Sequence, residues 1–177
     1  MDPLKVLAHP VRLRIIHALR GGHTRTAGQL CARINDASKA TVYRHLEVLT
    51  DAGILVVAEE RRVRGAVERH YRLANERASI DAAQAEQLTA DDHRLGFAAA
   101  TAALQAEFAA YLDCADADPA ADLVGYRQHA IWLDRQELES LIGALRAAIL
   151  PALENQAAPD RSQYLLSPIL FPIDQKR

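Results

Sequence analysis

Two helix starts and one helix stop crowd into residues 26 to 53, and that crowding leaves the segment few ways to fold. Thr26 followed by Gln29 is a capping box, in which each side chain satisfies a backbone N–H the helix leaves free. The helix it opens carries Ala27, Leu30 and Ile34 on one side and stops at Asn35-Asp36. Ser38 caps the next helix, where Val42, Leu46 and Leu49 fall at i, i+4 and i+7. Gly53 is a natural C-terminal cap. Helices this short are marginal alone in water, so the two must bury their apolar stripes together.

The face opposite that stripe is polar and cationic: Ser38, Lys39, Thr41, Tyr43 and Arg44. A helix N-terminus already favours phosphate through its free N–H groups and dipole. Arg44 suits a guanine edge, a two-hydrogen-bond contact worth about 1–3 kcal/mol of discrimination. Ser38, Lys39, Thr41 and Tyr43 complete the expected DNA face, with Lys39 and Thr41 assigned to phosphates, which fix position and carry no sequence information. Arg25 and Thr26, at the mouth of the preceding helix, are phosphate candidates as well. His45 is expected beside the core rather than at a base.

Upstream, Asp2-Pro3 starts a helix and His9-Pro10 restarts one carrying Val11, Leu13, Ile15, Ile16 and Leu19, up to Gly21-Gly22. Downstream, Ile54 to Glu60 is a β-type run, and Arg61 to Ala66 with Gly65 is a turn. Val67, Arg69, Tyr71 and Leu73 then alternate with Glu68, His70 and Arg72, as in a half-buried strand. Arg61, Arg62 and Arg64 crowd the hairpin tip, and a polyanion is the expected answer to their repulsion.

The net charge of −2 argues weakly against nucleic acid, but its distribution reverses that reading. Residues 1 to 77 hold 14 Lys and Arg against 8 Asp and Glu; residues 78 to 177 hold 7 against 15. A basic half that contacts DNA and an acidic half with another task follow.

Helix, helix-turn-helix and basic hairpin, in that order, resemble an ArsR-type winged-helix transcriptional regulator. The matching stretches are Leu7-Ala-His-Pro-Val-Arg-Leu-Arg-Ile-Ile-His-Ala-Leu19 and Ala40-Thr-Val-Tyr-Arg-His-Leu-Glu-Val-Leu-Thr-Asp-Ala-Gly-Ile-Leu55. The resemblance covers residues 3 to 73 and implies a homodimer whose helices starting at Ser38 enter successive major grooves of double-stranded DNA. It also implies control of transcription by a signal. Metal-sensing members carry a Cys-x-Cys in the helix before the turn; here that helix reads Gln29-Leu-Cys-Ala-Arg33, with one cysteine. A zinc site needs about four converging ligands, and Asp92-His93 and His129 have no partners at ligand spacing. No metal, no cofactor and no catalytic residue are expected, and Cys31 reads as a small core residue.

Beyond residue 77, Thr89 to Asp92 starts a helix running to about Asp113. Phe97, Thr101, Leu104, Phe108 and Tyr111 form a stripe on it, the expected dimerisation face, and alanines fill much of the rest. Tyr126 to Leu133 and residues 163 to 173 read as strands, the second confined by Pro168 and Pro172 to a sheet edge. Between them Asp134-x-x-Glu137 starts a helix with Leu138, Leu141, Ile142, Leu145, Ile149 and Leu153, a second candidate for the dimer core. Tyr126, Trp132, Tyr164 and Phe171 are expected as walls of a site for a small-molecule effector.

The expected architecture is mainly α with a small β component. It comprises a winged helix-turn-helix DNA-binding domain at 1–77, then at 78–177 a long dimerisation helix and a strand-helix-strand unit with an effector-sensing role. The expected function is a homodimeric repressor answering a non-metal signal; the alternative is a winged-helix module for protein or RNA contacts. An enzyme is not expected, since no Gly-rich cofactor loop occurs. Met1-Asp-Pro-Leu-Lys5 is not a signal peptide, no apolar run is expected to span a membrane, and Cys31 and Cys114 lie far apart, so a reducing cytoplasm is expected.

Overall fold

The short helices at the N-terminus are held at their starts by the side chains the sequence places there. A computed structural model describes residues 3–63, 65–75 and 86–174. Helix α1 spans Pro3–Leu7 and α2 spans Pro10–Leu19, with His9 Nδ1 accepting the Val11 N–H at 3.2 Å. Strand β1 is Arg25–Thr26 and α3 is Ala27–Arg33. The Thr26 hydroxyl accepts the Gln29 N–H at 3.2 Å, while the Gln29 side-chain oxygen accepts the Thr26 N–H at 2.9 Å. Helix α4 spans Lys39–Asp51, with Ser38 Oγ accepting the Thr41 N–H at 3.1 Å.

One core forms where α2, α3 and α4 meet. Ile15, Leu19, Leu30, Ile34, Val42, Leu46 and Leu49 are all fully buried in it. Gly53, at φ +70°, turns the chain out of α4 into β2, Leu55–Val63; that left-handed conformation is one a side chain resists. Strand β3, Ala66–Leu73, pairs antiparallel with β2, and β1 adds to its other edge, giving the order β1-β3-β2. The register runs from Leu55 opposite Leu73 to Val63 opposite Ala66, with a bulge between Val57 and Glu59.

Only the base of this hairpin meets the core. Leu55, Tyr71 and Leu73 are buried, whereas Val67 is 55% exposed. The alternation expected to bury Val67 and Arg69 therefore holds only below the bulge, beyond which both faces of the ribbon stand in solvent.

Helix α5, Ala90–Leu112, opens on a second capping box, Thr89 with Asp92. It packs on α2 through its alanines: Ala99 and Ala103 are buried, and Gly96 lies against Leu4. Small residues let the two backbones approach closely. By length and composition α5 is also apolar enough to cross a membrane.

The C-terminal region departs furthest from expectation. Helix α6, Arg135–Leu153, forms as expected on its Asp134–Glu137 capping box, but none of its residues is buried. Residues 126–133 and 163–173 are not strands: the only sheet among the described residues is the one built from β1, β2 and β3. Both runs have the side chains of strands, but a strand also needs a neighbouring edge to take its N–H and C=O groups. Among the described residues neither run pairs with one.

Candidate nucleic-acid interface

Helix α4 divides its surface sharply. Val42, Leu46 and Leu49 hold it to the core, and on the other side Ser38, Lys39, Tyr43 and Arg44 are exposed, with Tyr43 at 50%. Thr41 is half-buried, its hydroxyl 2.9 Å from that of Ser38. Among the described residues neither Lys39 nor Arg44 forms an ion pair with an acidic side chain.

Behind this face, His45 packs against His9, the ring centroids 4.1 Å apart and the planes tilted by 43°. His45 is buried, and neither ring nitrogen has a hydrogen-bond partner. Burial, then the nearby His9, Arg12 and Arg44, pushes its pKa down to about 4. The ring is therefore neutral near pH 7, and it packs the back of α4 against the start of α2.

The residues at the mouth of α3 are more occupied than their sequence positions indicate. Thr26 is buried, with its oxygen used in the cap. Arg25 is half-buried and donates through Nε to the Ala18 carbonyl at 2.9 Å, at the end of α2.

The hairpin carries its own counter-charges. Arg61 Nε lies 2.7 Å from Glu59 Oε1 and holds the Glu59 carboxyl below its ordinary pKa. Arg69 Nε lies 2.9 Å from Glu60 Oε1, directly across the β2–β3 ladder. Arg62 is exposed and forms no ion pair among the described residues; Arg64 lies outside them. The expected repulsion at the tip is thus answered in part by Glu59, while Glu60 pairs with Arg69 further down the hairpin.

A cluster not anticipated from the sequence stands behind the turn. The guanidinium of Arg14, on α2, is 2% exposed; its Nη1 donates to Asp36 Oδ1 at 2.6 Å, in the turn between α3 and α4. Its Nε lies 3.7 Å from Glu107 Oε1 on α5. Arg33 of α3 reaches Glu107 Oε2 at 3.7 Å, and His17 Nδ1 comes within 3.9 Å. One carboxylate of α5 thereby gathers cations from both α2 and α3. A cleft of about 70 Å³ lies beside Arg14, between Asn35-Asp36 and the Ala106–Ala110 face of α5. The one sequence signal for this cluster is an arginine inside the apolar run Leu13-Arg14-Ile15-Ile16.

The expected effector residues do not converge. Tyr126, Trp132, Tyr164 and Phe171 are all more than half exposed. Two of them instead meet the expected dimerisation stripe: Tyr126 stands edge-on to Phe108 at 6.2 Å, and Phe171 to Phe97 at 6.4 Å. Phe108 also stacks on Tyr111, whose hydroxyl donates to Asp122 at 2.7 Å, while Thr101 and Leu104 are half-buried. Among the described residues no group of three or more His, Cys, Asp or Glu is placed to hold a metal ion. Cys31 is buried and Cys114 exposed.

Together, a helix pair crossing at a tight turn, an exposed cationic second helix and a following hairpin define a helix-turn-helix domain. Residues 7–58 match the family model described as a helix-turn-helix domain. The match ends at the bulge of β2, so the outer hairpin, α5 and α6 lie outside it. A search of curated proteins finds no match to the chain.

Proposed function

We propose that this chain is a sequence-specific, DNA-binding transcriptional regulator: a cytoplasmic, homodimeric repressor of the ArsR-like type that answers a non-metal signal. The carrying observation is the split surface of α4. Its apolar side is locked into the core, while Lys39, Tyr43 and Arg44 stand exposed at the end where the helix dipole favours phosphate. The helix-turn-helix match over residues 7–58 supports the same reading. In this reading Ser38, Lys39 and Thr41 meet phosphates, Tyr43 and Arg44 reach bases, and Arg62, with Arg61 and Arg64, touches the backbone beside the groove. Arg25 and Thr26 act behind them by fixing the mouth of α3. Regulation is carried out by residues 78–177, and the chemistry is binding, not catalysis.

Selection of bound duplexes from random DNA tests the proposal. A two-fold symmetric motif with half-sites about one turn, ~34 Å, apart is the expected outcome. Binding that falls steeply with salt but shows no base preference, or that favours RNA, would instead fit the protein- or RNA-contact module.

A further inference from the structure

The C-terminal third of the chain carries most of the large apolar residues that stand exposed among the described ones. Of the 24 large apolar residues exposed among the described ones, 16 lie between Leu123 and Ile173. Monomeric proteins rarely expose contiguous apolar patches beyond a few hundred Å². Helix α6 lies within this segment with no residue buried: Ile142 and Leu145 are exposed, Leu138 and Ile149 half-buried.

Its apolar residues repeat with a specific spacing. Leu138, Ile142, Leu145 and Ile149 follow one another at intervals of four, three and four, and Ala152 continues the series. That is the d-a-d-a seam of a two-helix coiled coil, with Ile at both a positions and Leu at both d positions. The edges of the seam select the direction of the partner. Glu139 and Arg146 occupy successive e positions, and Leu141 and Ala148 the two g positions. A parallel copy would set Glu139 against the partner's Asp134 and Arg146 against its Leu141, one like-charged and one uncompensated contact. An antiparallel copy sets Leu138 against Ile149 and Ile142 against Leu145, each twice. It also sets Glu139 against Arg146 on both sides of the axis.

We propose that α6 pairs antiparallel with α6 of a second copy of this chain, about a two-fold axis beside Gly143 and Ala144. The proposal deepens the dimeric reading above and rests on it. The surface is self-complementary, as an isologous contact must be. A stable interface takes about 800 Å² from each partner, more than a five-turn seam supplies. Trp132 and Leu133 before the helix, and Leu165 and Leu166 after it, are exposed apolar residues that a partner could cover as well.

Engineered cysteines in the full chain, with Cys114→Ser as background, test the pairing. Leu138→Cys and Ile149→Cys proteins are mixed, allowed to exchange subunits and oxidised, with sedimentation and duplex binding followed in parallel. The expected result is a covalent dimer from the mixture and little from either protein alone. Self-crosslinking of Leu138→Cys alone overturns the antiparallel direction. A sedimenting dimer that crosslinks in no combination overturns the α6 contact while leaving the DNA-binding dimer intact. A monomer that still binds a single half-site overturns both dimer readings. Charge reversal gives a second readout. Arg146→Glu is expected to weaken dimerisation about tenfold, two exposed pairs being converted to repulsions. Glu139→Arg added to it is expected to restore the wild-type value, and a further loss in the double variant overturns the proposed register.

Discussion

Arg14 and Asp36 tie the middle of α2 to the turn of the helix-turn-helix, Nη1 to Oδ1 at 2.6 Å, with the guanidinium almost wholly buried. The same guanidinium faces Glu107 of α5 at 3.7 Å, so the turn that sets the angle between α3 and α4 is braced against the helix that leaves the domain. Removing one partner of a buried ion pair costs more than the pair contributes, because the other charge is stranded. Glu107→Gln leaves Arg14 with Asp36 alone and is expected to lose about 1–2 kcal/mol, a fall of roughly 2–8 °C in Tm for a chain of this size. Arg14→Met releases the turn itself. It is expected to weaken duplex binding several-fold more than Glu107→Gln at equal loss of Tm; equal effects on binding would mean that the brace on Asp36 does not govern the α4 face.

Arg44 and Arg62 are both exposed and free of acidic partners among the described residues, but they stand on different elements. Arg44→Ala is expected to cost about 1–3 kcal/mol at the selected site and to relax preference at one base pair. Arg62→Ala is expected to weaken all duplexes alike and to reduce the salt slope by about one. Titrations over a salt series against the selected and a scrambled duplex separate the two.

Arg61 gives a sharper test of the hairpin, because Glu59 already holds its guanidinium at 2.7 Å. Glu59→Gln removes a carboxylate that repels phosphate and frees the arginine. Tighter binding with a steeper salt slope is expected, while Arg61→Ala costs less than Arg62→Ala. If Glu59→Gln leaves affinity unchanged, the outer hairpin does not touch DNA.

His45 and His17 make stability depend on pH. Burial is the first cause of both shifts; His9, Arg12 and Arg44 add to it at His45, and Arg20, Arg33 and Arg14 at His17, bringing each pKa to about 4 against 6.5 in an ordinary histidine. Between those values the unfolded chain binds protons that the native chain refuses. Stability is therefore full above about pH 6.5 and is lost as pH falls toward 4. On the order of 1 kcal/mol per histidine is expected between pH 7 and 5. His45→Phe removes one titration and two unpartnered buried nitrogens, so its urea midpoint should fall less over that range; a parallel fall would clear His45 of the effect.

What was legible in the sequence was what neighbouring residues decide among themselves. Thr26 and Gln29, Ser38 and Thr41, and Asp134 and Glu137 each close a cap within three positions, and each helix starts where they stand. The α4 stripe and its exposed face follow from the same local periodicity. Arg14 and Glu107 lie far apart in sequence, and no local pattern joins them. Residues 126–133 and 163–173 have strand-like side chains, but pairing is a property of a partner edge, and among the described residues neither run pairs with one. The surroundings of Tyr126, Trp132, Tyr164 and Phe171 were not legible for a related reason: whether an aromatic side chain lines a site depends on residues far from it in sequence.

Helix α5 forms as expected, and the face it packs on α2 is the alanine face, which leaves the aromatic stripe on its other side. Bulky residues usually mark the buried side, yet here Ala103 is 1% exposed against α2 and Phe97 is 52% exposed. The difference is measurable. Ala103→Leu forces three heavy atoms into a close helix contact and is expected to cost about 1–3 kcal/mol by overpacking. Ala102→Leu, one residue earlier on an exposed position, is expected to stay within about 0.5 kcal/mol of wild type. Urea unfolding of the two variants decides the orientation. If Ala102→Leu is the costly one, α5 is turned about its axis from the packing described above, and the Arg14–Glu107 brace would have to be broken with it.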